Sequence, residues 1–177
     1  GTMLMPVETW GYAYTTINSK QRYANNCYSW AYVISQHDST KIEVTPAVDT
    51  RFGSPAGVTF SVMINKGQIY QFIGANPTNG SDALELTGSK IKSIDNGTGV
   101  CYPIAVFCGS SRTQNPAPCG SGGGDNDNQQ MFPTQAWGKR YLTSPLSSSN
   151  SASALMNSHT YKIAIKEPGT VVKRNGI

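Results

Sequence analysis

The chain has 177 residues, of which 38% are hydrophobic and only 14% charged, with a formal net charge of +4. That length suits one domain or two small ones sharing a core, and the composition excludes both a disordered polyelectrolyte and a charged coiled coil. Lys and Arg stand singly or in pairs, such as Lys139-Arg140 and Lys173-Arg174, so the basic stripe that nucleic acid requires is missing. No apolar run reaches membrane-spanning length, so insertion into a bilayer is not expected either.

In chain order, the first feature is "LMPVETWG" (4–11). Here Pro breaks the incoming chain, Trp10 is placed to plug the end of a core, and Gly11 lets the backbone turn beside it. Tyr12, Tyr14, Tyr23, Tyr28 and Tyr32 then cluster around Trp30. At alternating positions they would form an aromatic strip, and Tyr12, Tyr14 and Trp30 are the candidate ligand contacts for a glycan or protein. The alternative is an ordinary tyrosine-rich sheet surface. "SWAYVIS" (29–35) and "TKIEVTP" (40–46) read as strands joined by a hairpin turn at "QHDS". "VTFSVMIN" (58–65) alternates, with Val58, Phe60, Val62 and Ile64 on one face, and "NKG" turns it into "QIYQFIG" (68–74) as a second hairpin. "SKIKSI" (89–94) and "CYPIAVFCG" (101–109) are further strands. The Gly/Pro/Asn/Asp-rich stretch 109–130 and the Ser-rich stretch 144–155 read as non-strand segments. The only helix candidate is "SNSASALMNS" (149–158), and "TYKIAIK" with "TVVKR" around "EPG" reads as a last hairpin. Many short strands parted by turn residues predict an all-β fold built as an antiparallel β-sandwich.

The opening motif returns as "MFPTQAWG" (131–138), with Pro133 and Trp137 lying 127 residues after Pro6 and Trp10. Tyr141 then falls on Tyr14 and Thr143 on Thr16; with small gaps "YKI" (161–163) falls on "YVI" (32–34), and Thr170 on Thr40. The expected organisation is two related units: residues 1–130, and an incomplete opening at 131–177 packed with the first or completing it. The structural residues are Trp10, Gly11, Trp137 and Gly138. The Asn-Gly near the end is a turn signal that predicts a further strand and neighbouring domains in a longer parent.

Chemistry-bearing patterns are sparse. The two histidines, His37 and His159, sit near predicted turns, too few for a metal hydrolase, and Asp38 reads as a turn cap. There is neither a nucleophile elbow nor a phosphate loop, so no enzyme is expected. In "DNDN" (125–128), Asp125 and Asp127 with neighbouring Asn oxygens are candidate calcium ligands, with a solvated polar loop as the alternative.

The ordered set Trp10-Gly11, "NKGQIYQF" (65–72), "ELTGSKI" (85–91), "PIAVF" (103–107) and "QQMFPTQAWG" (129–138) resembles the N-terminal domain of the IgG Fc-binding protein family found in large bacterial surface proteins. The set covers nearly the whole chain. This chain departs from the family pattern where Cys119 is parted from Asp125 by "GSGGG" with no His following, and at Glu85, where Asp is common. The resemblance implies a non-catalytic, extracellular or cell-surface module for adhesion, ligand binding or display; a dedicated carbohydrate- or calcium-binding domain is the alternative.

Four cysteines, Cys27, Cys101, Cys108 and Cys119, suit disulfides in an oxidising compartment. The first expectation pairs Cys27 with Cys101 and Cys108 with Cys119; the second pairs Cys101 with Cys108 and Cys27 with Cys119.

Overall fold

In the computed structural model, the residues described are 2–21, 27–77, 83–113, 124–143 and 161–173. They form eight strands: β1 (Ala13–Thr15), β2 (Ser29–Ser35), β3 (Thr40–Thr45), β4 (Phe60–Ile64), β5 (Ile69–Ile73), β6 (Lys90–Ile94), β7 (Ile104–Thr113) and β8 (Asp125–Gln130). Two antiparallel four-stranded sheets result, ordered β1-β6-β3-β4 and β5-β2-β7-β8, and they enclose one core. The first sheet contributes Tyr14, Ile42, Val44, Ile64 and Ile91; the second contributes Ala31, Val33, Phe72, Ile104, Val106 and Cys108. This is the expected all-β sandwich.

The turns behave differently from the sequence expectation. "QHDS" does not fold a hairpin, because β2 and β3 lie in different sheets. "NKG" likewise carries β4 into β5 across the core. In both cases the flanking strands are apolar on one face, and each points that face into the shared interior: Ala31 and Val33 on β2, Ile42 and Val44 on β3. A tight turn between two such strands serves equally well as a corner between sheets. The β2–β3 corner is tied by buried hydroxyls. Ser35 Oγ lies 2.7 Å from Thr40 Oγ1, Thr40 Oγ1 donates to the His37 carbonyl at 2.9 Å, and Ser39 adopts a left-handed φ of 55°. The neighbouring corner packs on it, with Ser39 N–H donating to Asn65 Oδ1 and Lys66 N–H to Asp38 Oδ1.

The stretch 109–130 is not wholly a loop. Strand β7 runs on to Thr113 and "DNDNQQ" pairs with it as β8, in the register Phe107↔Gln130 and Gly109↔Asn128. Asp and Asn are poor strand formers, but an available neighbouring ladder overrides the intrinsic preference. Val58, predicted as an inward strand residue, lies before β4 and is exposed. The helix candidate at 149–158 lies outside the described residues, and 161–173 forms no ladder among them.

Both copies of the repeated motif adopt one local structure. Val7–Thr9 and Thr134–Ala136 are 3₁₀ turns preceded by Pro6 and Pro133 with nearly the same backbone angles. In each, the Trp N–H closes the turn, at 3.0 Å to the Val7 carbonyl and 3.3 Å to that of Thr134. The indole N–H donates to the carbonyl five residues earlier, Met5 or Phe132. The Gly N–H donates to the Tyr hydroxyl three residues later, at 2.8 Å in the first copy and 2.9 Å in the second. Neither Trp belongs to the buried core cluster; each fastens its own turn instead of plugging the sandwich. The correspondence resumes after 130 residues: Thr170 Oγ1 donates to the Glu167 carbonyl at 2.7 Å as Thr40 does to His37, and Gly169 has a φ of 79° where Ser39 is left-handed.

Candidate binding face

The two outer faces of the sandwich differ sharply. On the β1-β6-β3-β4 sheet, the outward residues include Lys41 and Glu43 on β3, Lys90 and Lys92 on β6, and Ser61 on β4. That is a solvated, mixed-charge surface. On the other sheet, the outward positions of β2 are Trp30, Tyr32 and Ile34, because small residues (Ala31, Val33, Ser35) take the inward positions. Register then places Ile73↔Trp30↔Gly109, Gln71↔Tyr32↔Phe107 and Ile69↔Ile34↔Ala105 in three rows across β5, β2 and β7.

The rings in these rows stack. Trp30 and Tyr32 have centroids 5.3 Å apart and planes 14° from parallel; Tyr32 and Phe107 are 4.9 Å apart and 11° from parallel. Offset parallel packing of this kind contributes about 0.5–1.5 kcal/mol per pair beyond area burial. Gly109 makes it possible: a Cβ there would lie 2.4 Å from the Trp30 ring. Ile69 remains 66% exposed at the end of the face, and Trp30, Tyr32, Ile34 and Ile73 are half-buried. Beside the Trp30 row, the Arg51 guanidinium lies 4.4 Å over the Tyr28 ring, and the Arg51 N–H donates to the Ile73 carbonyl. A depression of about 300 Å³ lined by Asp49, Thr50, Gly53, Ser54 and Pro55 adjoins it. Phe107 and Ala105 are buried, so the accessible part of this face is a platform of Trp30, Tyr32, Ile34, Ile69 and Ile73, with one cationic corner.

The sequence-predicted residues fall in several places. Trp30 lies on the platform. Tyr12 is exposed, away from it on the approach to β1. Tyr14 is buried, with its hydroxyl accepting from Gly11 N–H and donating to the Ile104 carbonyl at 2.6 Å; burial pushes its pKa up to about 12. Asp125 and Asp127 are on β8, where Asp125 Oδ1 accepts the Asn126 N–H and Asp127 Oδ1 accepts the Ser110 N–H. Among the described residues, no group of three or more His, Cys, Asp or Glu side chains could hold a metal ion. His37 stacks on Tyr102 at 4.4 Å, and His159 lies outside the described residues.

The cysteine pairing is corrected. Cys101 and Cys108 are free thiols, so neither Cys27–Cys101, Cys101–Cys108 nor Cys108–Cys119 is formed. Cys27 precedes β2 and Cys101 precedes β7, but these strands run antiparallel, with Ser29 opposite Ser110 and Ser35 opposite Ile104. The two strand starts are therefore at opposite ends of the sheet, roughly 20 Å or more apart at about 3.3 Å per residue. Cys108 points into the core instead, where desolvation raises its thiol pKa to about 12. Cys119 lies outside the described residues.

Phe107 and Ile69 were not singled out from the sequence. The available signal was that both alternating sets of "SWAYVIS" are apolar, which marks a strand with two apolar faces and hence a platform on the outer one. No described helix is long and apolar enough to cross a membrane. No curated protein and no solved structure matches the chain. The family model described as IgGFc binding protein matches residues 1–177, and with its sandwich and motif order the chain belongs to that family.

Proposed function

We propose that this is a non-catalytic binding module of a larger extracellular or cell-surface protein, and that it takes a protein ligand on the aromatic face of the β5-β2-β7-β8 sheet. The observation that supports this reading is the contrast between the faces. One carries Lys41, Lys90 and Lys92; the other carries half-buried, stacked Trp30 and Tyr32, backed by buried Phe107, with exposed Ile69. Contiguous apolar surface with rigid aromatic anchors is the usual composition of a contact centre, and Arg at its margin adds to it. In the same reading, 131–177 is the opening of a second unit. Its Tyr161, Ile163 and Ile165 are exposed.

The family description names the immunoglobulin Fc region, which makes it the first protein to test, beside a glycan array for the carbohydrate alternative. Binding is measured for the intact chain and for Ile69→Asp, Trp30→Ala and Lys90→Ala. Loss on Ile69→Asp and Trp30→Ala with retention on Lys90→Ala is expected. A ligand that binds all three alike sinks the assignment of the face.

A further inference from the structure

The two copies of the Pro-x₃-Trp-Gly motif touch each other, and they do so asymmetrically. At Gly11, a Cβ would lie 2.5 Å from Pro133 Cβ and 2.1 Å from Gln135 Nε2. Gly11 does not have a positive φ, so it is glycine here because the second turn lies against its backbone. The first motif thus supplies a seat, Gly11, and the second supplies what sits in it, Pro133 and Gln135.

Each motif has the same backbone and hydrogen bonds, so each has both a seat and a plug, and one contact uses only half of each. The seat Gly11 and the plug Pro133 are buried. Their counterparts, the seat Gly138 and the plug Pro6, are exposed, and Glu8, in the place of Gln135, is exposed as Gln135 is. Around Gly138, the nearest atoms of described residues outside its immediate neighbours are 3.8 Å or more from a Cβ built there. Charge distinguishes the vacant halves from the used ones. The used plug is neutral Gln135, facing a seat followed by Tyr12 and Ala13. The vacant plug carries Glu8, and the vacant seat is followed by exposed Lys139 and Arg140.

We propose that the vacant halves fit each other between copies of this chain: the Pro6–Thr9 turn of one copy occupies the Gly138 seat of another, with Glu8 against Lys139 and Arg140. The contact is head to tail. A copy that gives its plug to one neighbour keeps a seat for a plug, so the same contact can repeat into rows or close on a reciprocal exchange between two copies. The surface joined is small, so association is weak in dilute solution, falls with ionic strength, and gains effect where copies are held close together.

The test is sedimentation and two-dimensional NMR of the intact chain over a concentration series at low and high salt. The average mass of the wild type rises with concentration, less so at high salt, and the Gly138 and Tyr141 resonances shift together. Glu8→Lys alone and the pair Lys139→Glu/Arg140→Glu alone each weaken association about tenfold, since an attraction of exposed charges becomes a repulsion. Mixing these two variants restores both mixed contacts, the native pair and its charge-reversed counterpart, and with them association close to that of the wild type. Gly138→Leu fills the seat and abolishes the effect without altering charge. All these sites are exposed, and unchanged melting temperatures establish that each variant is folded. A wild type that stays monomeric at the highest concentration overturns the proposal. So does association that survives both Glu8→Lys and Gly138→Leu.

Discussion

The sharpest perturbation available is the removal of one oxygen atom from each of two equivalent tyrosines. Tyr14 is 2% exposed, whereas Tyr141 at the same place in the second motif is 70% exposed. Both accept the N–H of the glycine three residues earlier, at 2.8 Å and 2.9 Å. Only Tyr14 also donates onward, to the Ile104 carbonyl at the start of β7. Tyr14→Phe therefore leaves two backbone groups, Gly11 N–H and Ile104 C=O, without this partner in a place that water does not reach. At about 1–3 kcal/mol for each buried group left unmade, less what is regained by not burying a hydroxyl, the expected cost is about 2–4 kcal/mol. For a chain of this size that is a fall of roughly 5–15 °C in melting temperature. Tyr141→Phe breaks the same bond in contact with solvent, and the expected change is within about 0.5 kcal/mol. Urea unfolding of the two variants beside the wild type measures both. Equal costs, or less than about 1 kcal/mol for Tyr14→Phe, would refute the claim that burial and not the motif itself sets the value of this bond.

Gly11→Ala drives a methyl group into Pro133 and Gln135, and is expected to destabilise by about 1–3 kcal/mol, while Gly138→Ala is expected to be near neutral by the same unfolding assay. Cys101 should react with a thiol reagent in the native protein and Cys108 only after unfolding, since the first is exposed and the second buried; equal rates would contradict the core position of Cys108. In alkali, the Cys108 thiol is raised from 9.0 to about 12 and the Tyr14 phenol from 10.0 to about 12, both mainly by desolvation. The folded state holds these protons more tightly than the unfolded one. The stabilisation is therefore full below about pH 9 and is lost progressively towards pH 12. Urea midpoints should fall over that window, and less steeply in Cys108→Ala.

The strands were legible because alternation is local: "VTFSVMIN" shows which residues of β4 face inward without reference to any neighbour. Which sheet a strand joins is not local. "QHDS" and "NKG" carry the same turn residues whether the next strand folds back beside the last or crosses the core. Strand β8 was hidden for a related reason, since nothing within "DNDNQQ" favours a strand and only pairing with β7 makes it one. The platform was half legible. Trp30 and Tyr32 are two residues apart and so share a face, but Phe107 joins them only through the register of β2 on β7. Tyr14 could not be separated from its exposed neighbours, because its place depends on Ile104, 90 residues away. The motif repeat gave the paired turns but not the contact at Gly11, which requires the second turn to return to the first.

Strand β8 has a further consequence. It is the last strand of its sheet, and an open edge is a template on which a stray strand from another molecule can grow. Asp125, Asn126 and Asn128 are exposed along it, and at its far end the Gln130 side chain accepts Met5 N–H while its backbone N–H donates to Thr2 Oγ1. A growing strand would have to desolvate two carboxylates on β8 and displace the N-terminal segment to reach the last rung, which makes strand-by-strand polymerisation at this edge unfavourable. On a sheet whose outer face is apolar, this border is thus written in residues that prefer water.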